Sequence, residues 1–343
     1  MTNKGNYILS LSRFTSWLGS IAEELGVEVY PGFGGAQILY SEDKTSVLGV
    51  VTNDVGLDRE FRMKDSFEPG MAFKAKVTLL AEGAHGSLSK SIISHFDLRR
   101  DSDPQTYGIG IKEVWRVEPG KHIPGTVVHT MGWPLDWRTY GGGWVYHMAE
   151  GLVSLGLVVG LDYRNPYLSP FRELQRMKHH PFFTSLLEGG ERIAYGGRVL
   201  NEGGLQAVPQ LHFPGGALIG CAAGFVNIAK IKGTHNAMKS GMLAAEAAYS
   251  EIEEGGEKPA DMSAYDTALR KSWVWSDLME VRNLRQSFNT PLGIWGGIAY
   301  SGIDSLFLKG RVPWTFRNRS GLSDAQHTKR ARFYAFLSSF TSR

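Results

Sequence analysis

The chain has 343 residues, 42% of them hydrophobic and 21% charged, a composition that excludes a disordered or fibrous protein. Its formal net charge of +3 is mild, and the basic residues are scattered, so no nucleic-acid stripe is expected. A single cysteine, Cys221, excludes a disulfide framework, a cysteine-rich zinc site and an iron–sulfur cluster made from this chain alone.

No secretory signal opens the sequence, and the early Glu23 and Glu24 are what a mitochondrial presequence avoids. Residues 6–10 predict a short strand. Leu11, Phe14, Leu18, Ile21 and Leu25 then fall at helical spacing, with Gly26 placed to end the helix. Residues 27–30 alternate as a strand, and 37–40 and 47–52 flank a polar turn as a hairpin. A further strand at 74–81 runs into Glu82-Gly83-Ala84-His85-Gly86, and Ser87 opens a helix carrying Leu88, Ile92 and Ile93.

The texture changes from residue 105 to about 201. Strands are predicted at 107–114, 126–131, 143–147 and 154–161, with one helical region at 170–179, which implies an inserted, mainly antiparallel sheet. Residues 151–161 are apolar but far short of the roughly 20 needed to span a bilayer. Beyond Pro214-Gly215-Gly216 the α/β style returns, with a short buried strand at 217–220 and a long helix from about 234 to 253. Ala237, Gly241, Ala244, Ala247 and Ala248 on that helix imply close packing. Residues 291–310 are apolar, aromatic and glycine-rich, interrupted by Asp304 and flanked by Lys309 and Arg311. They suit an element lying in one membrane leaflet, or a buried core helix.

Two strands end in glycine loops that lead into helices, at 77–86 and at 218–224 followed by Gly233-Thr234. In a doubly wound sheet such loops lie at the carboxyl ends of strands, where dinucleotides bind. Each loop alone is equally well a plain turn; the pair, set around a β-rich insertion, is the more specific signal. There is no G-x-x-x-x-G-K-[ST] loop, no G-x-S-x-G elbow and no histidine pair spaced for zinc. No catalytic acid, base or nucleophile is assigned.

The loops resemble those of the flavoenzymes that include geranylgeranyl reductases and aromatic hydroxylases. Cys221 in Gly220-Cys221-Ala222-Ala223-Gly224 stands where that superfamily usually has an aspartate. One branch carries the change. Glu202-Gly203-Gly204, Lys230-Ile231-Lys232-Gly233-Thr234-His235, Gly132-Trp133-Pro134-Leu135-Asp136, Thr139-Tyr140-Gly141-Gly142 and Trp273-Val274-Trp275 resemble the electron-transfer-flavoprotein:ubiquinone oxidoreductase family, from about Asn6 to Trp314.

That resemblance implies an α/β, glutathione-reductase-like FAD-binding fold, here incomplete, with an inserted antiparallel quinone-binding domain. The implied divisions are 1–104 and 205–290 for the FAD-binding parts, 105–204 for the quinone domain, 291–319 for a membrane-surface segment and 320–343 for an unplaced tail. It implies that Glu82, Gly83, Gly220, Ala223 and Gly224 line FAD, that Gly233, Thr234 and His235 face its ring from a helix start, and that Asn201 neighbours the ring. Tyr140, Gly141 and Gly142 match the quinone-site motif. The implied partners are electron-transfer flavoprotein, ubiquinone and a membrane surface, at the matrix side of the mitochondrial inner membrane in a eukaryote.

The sequence departs from the family in having no G-x-G-x-x-G pyrophosphate loop and no four-cysteine [4Fe–4S] domain. The expectation is therefore a fragment that binds FAD weakly or not at all by itself. A related FAD-dependent prenyl reductase or hydroxylase, and an inactive truncated form, stay open as alternatives.

Overall fold

The apolar repeat after residue 10 forms α1 (Leu11–Glu24), whose start is capped by the Ser10 hydroxyl accepting from the Arg13 amide. No residue of α1 is buried. The strands expected at 6–10 and 27–30 do not form. Val27 and Val29 stay 54% and 44% exposed, and an alternating segment with no neighbour to complete its ladder remains extended chain. This computed structural model describes residues 5–256 and 258–318, so the tail read at 320–343 lies outside the described residues.

The hairpin expected next is present as β1 (Gly35–Tyr40) and β2 (Val47–Thr52), antiparallel. β3 (Val55–Leu57) and β4 (Met63–Glu68) make a separate two-stranded ribbon. The single strand read at 74–81 is two strands. β5 (Ala72–Lys74) joins β2, whereas β6 (Thr78–Leu80) joins a different sheet, and α2 (Ser87–His95) follows.

Residues 107–201 build a five-stranded antiparallel sheet from β7 (Tyr107–Arg116), β8 (Val127–Met131), β9 (Gly141–His147), β10 (Leu152–Gly160) and β11 (Glu191–Asn201), in the order β11-β7-β10-β9-β8. The central β10 is apolar along its length because it has neighbours on both edges and α3 (Pro170–Lys178) across one face. A second helix, α4 (Pro181–Leu187), follows where one helical region was expected, opened by Pro181 with the His180 ring accepting from Phe182. β11 was not anticipated. It is an edge strand, mostly exposed and rich in glycine and charge, so its sequence shows no alternation.

The chain then returns through β12 (His212–Phe213) and β13 (Gly216–Leu218), the latter parallel to β6. After it come a short turn of helix, α5 (Gly220–Ala223), and the helices α6 (Thr234–Glu254), α7 (Ser263–Lys271), α8 (Trp273–Val281) and α9 (Gly293–Ile303). Gly220 thus begins a helix instead of ending a strand.

Two cores result. One packs β6 and β13 against α2, α6, α7 and α8 through Leu80, Ile92, Leu218, Ala244, Tyr265 and Leu278. The Tyr265 hydroxyl donates to the Leu218 carbonyl at 3.1 Å. The other lies between the five-stranded sheet and α3 and α4, around Val145, Leu155, Leu157, Leu174 and Met177. Burying each such leucine is worth roughly 2 kcal/mol.

Candidate functional site

β6 and β13 run parallel in register, with Leu80 opposite Leu218, and the Ile219 amide donates to the Leu80 carbonyl at 3.0 Å. The two glycine loops therefore leave the same sheet edge side by side, at the carboxyl ends of the strands, where a doubly wound fold has its binding crevice. In the first loop Glu82 is engaged locally: its carboxylate accepts from the Leu88 and Ser89 amides at 3.2 and 2.6 Å and from the Ser89 hydroxyl at 2.7 Å. It closes the open start of α2, leaving Gly83 half-buried at the loop's beginning.

In the second loop Gly220 and Gly224 bracket α5 at φ +57° and +93°, a left-handed backbone that favours glycine. The Gly220 amide donates to the Ser240 hydroxyl at 2.9 Å, and a Cβ on Gly220 would sit 3.3 Å from that of Ala237. Glycine here lets the start of α6 close on the loop. Gly233 precedes α6 without a side-chain cap, so the first-turn amides near Thr234 and His235 lack one. His235 is half-buried and stacks flat on Trp273, 5.4 Å between ring centroids, and burial pulls its pKa below the ordinary imidazole value. Asn227 donates to Asp277 at 2.6 Å and Lys230 pairs with the same carboxylate, which pins the intervening loop to α8.

Asn201, at the end of β11, is 2% exposed and donates to the Ala84 carbonyl at 3.4 Å, which brings it to the first glycine loop. Its own Oδ1 is buried without a partner, as are Gln105 Nε2 and Asn236 Oδ1. Gln105 lies beside the second loop, where a Cβ on Gly224 would come within 2.9 Å of that nitrogen. Asn236 sits in the first turn of α6 and donates to the Phe225 carbonyl. Buried polar atoms are nearly always satisfied. Three orphans of both hydrogen-bonding senses, one at the first glycine loop and two at the second, fit a flat, polar-edged ring system such as that of FAD. The thiol of Cys221 is raised in pKa by burial, so it stays neutral and chemically quiet.

A second space, of about 240 Å³, opens between the five-stranded sheet and the start of α9, lined by Arg138, Tyr140, Asp162, Arg164, Phe288 and Pro291 among others. The Tyr140 ring is held by the Arg285 guanidinium 4.0 Å from its centroid and by Phe288 at 4.9 Å, edge to face. Burial, aided by Glu202, pushes the Tyr140 phenol well above its ordinary pKa, so it remains a neutral hydroxyl. Gly141 and Gly142 lie next to it inside the sheet. A Cβ on Gly141 would come 2.3 Å from the Val158 carbonyl oxygen and one on Gly142 2.2 Å from that of Thr130. Those glycines let β9 sit closely between its neighbours.

The space is bounded on its outer side by α9, whose Ile294 amide donates to the Trp137 carbonyl at 2.8 Å. Around that boundary Leu292, Trp295, Leu306 and Phe307 are 66%, 69%, 71% and 77% exposed. Asp304, which looked like an interruption of this apolar stretch, is only 2% exposed and points inward, within a π turn, Asp304–Leu308. Among the described residues no helix is long and apolar enough to cross a membrane.

Asn201 meets the loop of Glu82 and Gly83 at Ala84, and the loop of Gly220, Ala223 and Gly224 packs on the start of α6 at Gly233, Thr234 and His235, whereas Tyr140 stands at a separate cleft. Sequence reasoning missed what joins the two: Arg285, Asp162, Phe288 and the role of Glu202. Arg285 binds Glu202 across 83 residues and Asp162 across 123, separations that no local pattern reveals.

Residues 107–200 match the family model described as ETF-QO, ubiquinone-binding. The chain is 55% identical over 335 residues, 97% of its length, to the probable mitochondrial electron transfer flavoprotein-ubiquinone oxidoreductase of Schizosaccharomyces pombe, covering 52% of that protein. It is 54% identical over 330 residues to the mitochondrial electron transfer flavoprotein-ubiquinone oxidoreductase of Bos taurus, covering 94% of this chain and 53% of that one. The chain therefore spans about half the length of the curated relatives it matches. Among solved structures, a geranylgeranyl bacteriochlorophyll reductase-like protein from Thermoplasma acidophilum superposes with a TM-score of 0.64 at 16% identity, over 95% of this chain and 74% of that chain, a likeness of fold.

Proposed function

We propose that this chain, so similar along its length to electron transfer flavoprotein-ubiquinone oxidoreductases, carries the flavin-ring and quinone-facing parts of such an enzyme, passing electrons from reduced electron-transfer flavoprotein through FAD to ubiquinone. The observation that carries the reading is the placement of a crevice of paired glycine loops and a tyrosine-lined cleft on either side of the Asn201-Glu202 pair.

In this reading the FAD-binding parts, 1–104 and 205–290, have the glutathione-reductase-like arrangement, and 105–204 is the inserted quinone domain. Gly83, Gly220, Ala223 and Gly224 let backbone approach the cofactor. Asn201, Gln105 and Asn236 present the unsatisfied polar atoms to its edge, and the start of α6 at Gly233, Thr234 and His235 places a partial positive charge beside it. Glu82 acts through α2, by holding the first loop's shape. Bound FAD supplies the redox chemistry of the reaction, and the protein's part is to orient it and tune it.

At the cleft, the neutral hydroxyl of Tyr140 can donate to a quinone carbonyl oxygen, and Phe288 and Pro291 supply apolar walls. Gly141 and Gly142 contribute by fixing where Tyr140 stands. The exposed apolar residues of 291–310, flanked by Lys309 and Arg311, support a surface that rests in one leaflet, so that a lipid-borne quinone reaches the cleft without crossing water. In a eukaryotic source the working protein would sit at the matrix side of the mitochondrial inner membrane. With one cysteine, this chain supplies no set of four thiolates for a [4Fe–4S] cluster.

Titrating FAD with the purified chain and following quenching of flavin fluorescence tests the crevice. A weak but saturable signal that a bulky residue at Gly224 abolishes is expected. An unsaturable signal, from a chain whose circular dichroism reports it folded, would overturn the cofactor assignment.

A further inference from the structure

Between the crevice and the cleft lies a buried charge cluster to which the reaction assigns nothing. The Arg285 side chain is 3% exposed. Its Nε donates to Glu202 Oε2 at 3.0 Å, its Nη2 to both oxygens of Asp162 at 3.0 and 2.9 Å, and its Nη1 to Asn289 Oδ1 at 3.1 Å. The flat of the guanidinium meanwhile covers the Tyr140 ring. Only arginine offers that combination, a planar fork for two carboxylates and a face for an aromatic ring.

The surroundings are shaped for the cluster. A Cβ on Gly160 would lie 2.8 Å from Asp162 Oδ1 and 3.0 Å from Arg285 Nη2, and one on Gly108 2.2 Å from Glu202 Oε1. Each partner comes from a different segment. Asp162 follows β10 and lines the cleft, whereas Glu202 follows Asn201, which touches the glycine loop at Ala84. A rotation of the guanidinium therefore moves the tyrosine ring on one side and strains the Asn201-Glu202 corner on the other.

We propose that Arg285, clamped by Asp162 and Glu202, is the positioning residue that sets the Tyr140 ring in the cleft and fixes the cleft relative to the neighbouring crevice. The proposal rests on the reading of that cleft as the quinone site. Arg285 acts through Tyr140 and the corner, not by touching a reacting atom.

The test is a double-mutant cycle on the full chain, with binding of a short-tailed 2,3-dimethoxy-5-methylbenzoquinone measured by calorimetry and thermal melting followed alongside. Arg285→Lys keeps the charge but loses the fork and the face. It is expected to weaken binding about tenfold in the Tyr140 background and to have almost no further effect once Tyr140→Ala is present. Asp162→Asn, which spares the Arg285–Glu202 pair and is the milder change to the fold, is expected to weaken binding about threefold and to lose its effect in the same way. Equal effects in both backgrounds, or no effect of either variant, would overturn the positioning role while leaving the quinone site standing. A wild-type chain that is folded yet takes up no quinone would overturn both.

Discussion

The five-stranded sheet and the amino-terminal helix stand at opposite ends of how a sequence pattern is used. In β10, Val153, Leu155 and Val159 are 0% exposed, closed in by β7 and β9 at the edges and α3 above. In α1 the pattern is just as regular, yet Leu11 and Trp17 are 51% and 58% exposed, and a surface ion pair, Arg13 to Glu150 at 3.1 Å, ties it to the turn between β9 and β10. Periodicity states which face an element offers; what covers that face is decided by tertiary structure. Most helical stability comes from packing, and α1 has little of it among the described residues.

That contrast can be broken most severely where the sheet is tied to the rest of the molecule. Arg285→Ala leaves Glu202 and Asp162 without their cation and should lower the stability of the fold by about 3–5 kcal/mol, read as a shift in the urea midpoint. A change below 1 kcal/mol would mean that the cluster is solvated and not a clamp. Within the sheet, Leu155→Ala should lower stability by about 3 kcal/mol through lost burial and the cavity left behind.

A pH titration sharpens the comparison further. His147 lies on β9, and burial, with His122 nearby, holds its pKa below the ordinary imidazole value of 6.5. Its folded form prefers the neutral ring, so the stability it contributes is present above pH 6.5 and lost as pH falls through its depressed folded pKa. Melting temperature should therefore drop as pH falls from 6.5 toward that depressed value, and His147→Gln should flatten the drop; an unchanged slope would show that other groups carry it. The smallest effect is expected at the other pole. Arg13→Ala should leave the melting temperature where it was, because the pair it breaks is open to solvent on both sides.

What could be read in advance follows the same physics. Local patterns found the β1–β2 hairpin, α1, α2, α6 and four strands of the inserted sheet, each driven by its own period. The pattern did not find β11, an exposed edge with glycine and charge, nor the break of 74–81 into two strands, which is forced by pairing to two different sheets. It placed Asn201, Gly220, Gly224 and Tyr140 as candidates because glycine loops and family motifs are short-range signals. The Arg285 cluster escaped because its partners are distant in sequence and because a buried arginine looks, in sequence, like any other.

The central claim is that the cleft beside Tyr140 receives the quinone head, and photolabelling tests it most directly. The chain would be irradiated with an azido-substituted, short-tailed dimethoxybenzoquinone, digested and mapped by mass spectrometry, with unlabelled quinone as competitor. Competed label confined to peptides bearing Arg138, Tyr140, Phe288 or Pro291 is the expected result. Competed label concentrated on another surface, with these peptides clean, would contradict the account.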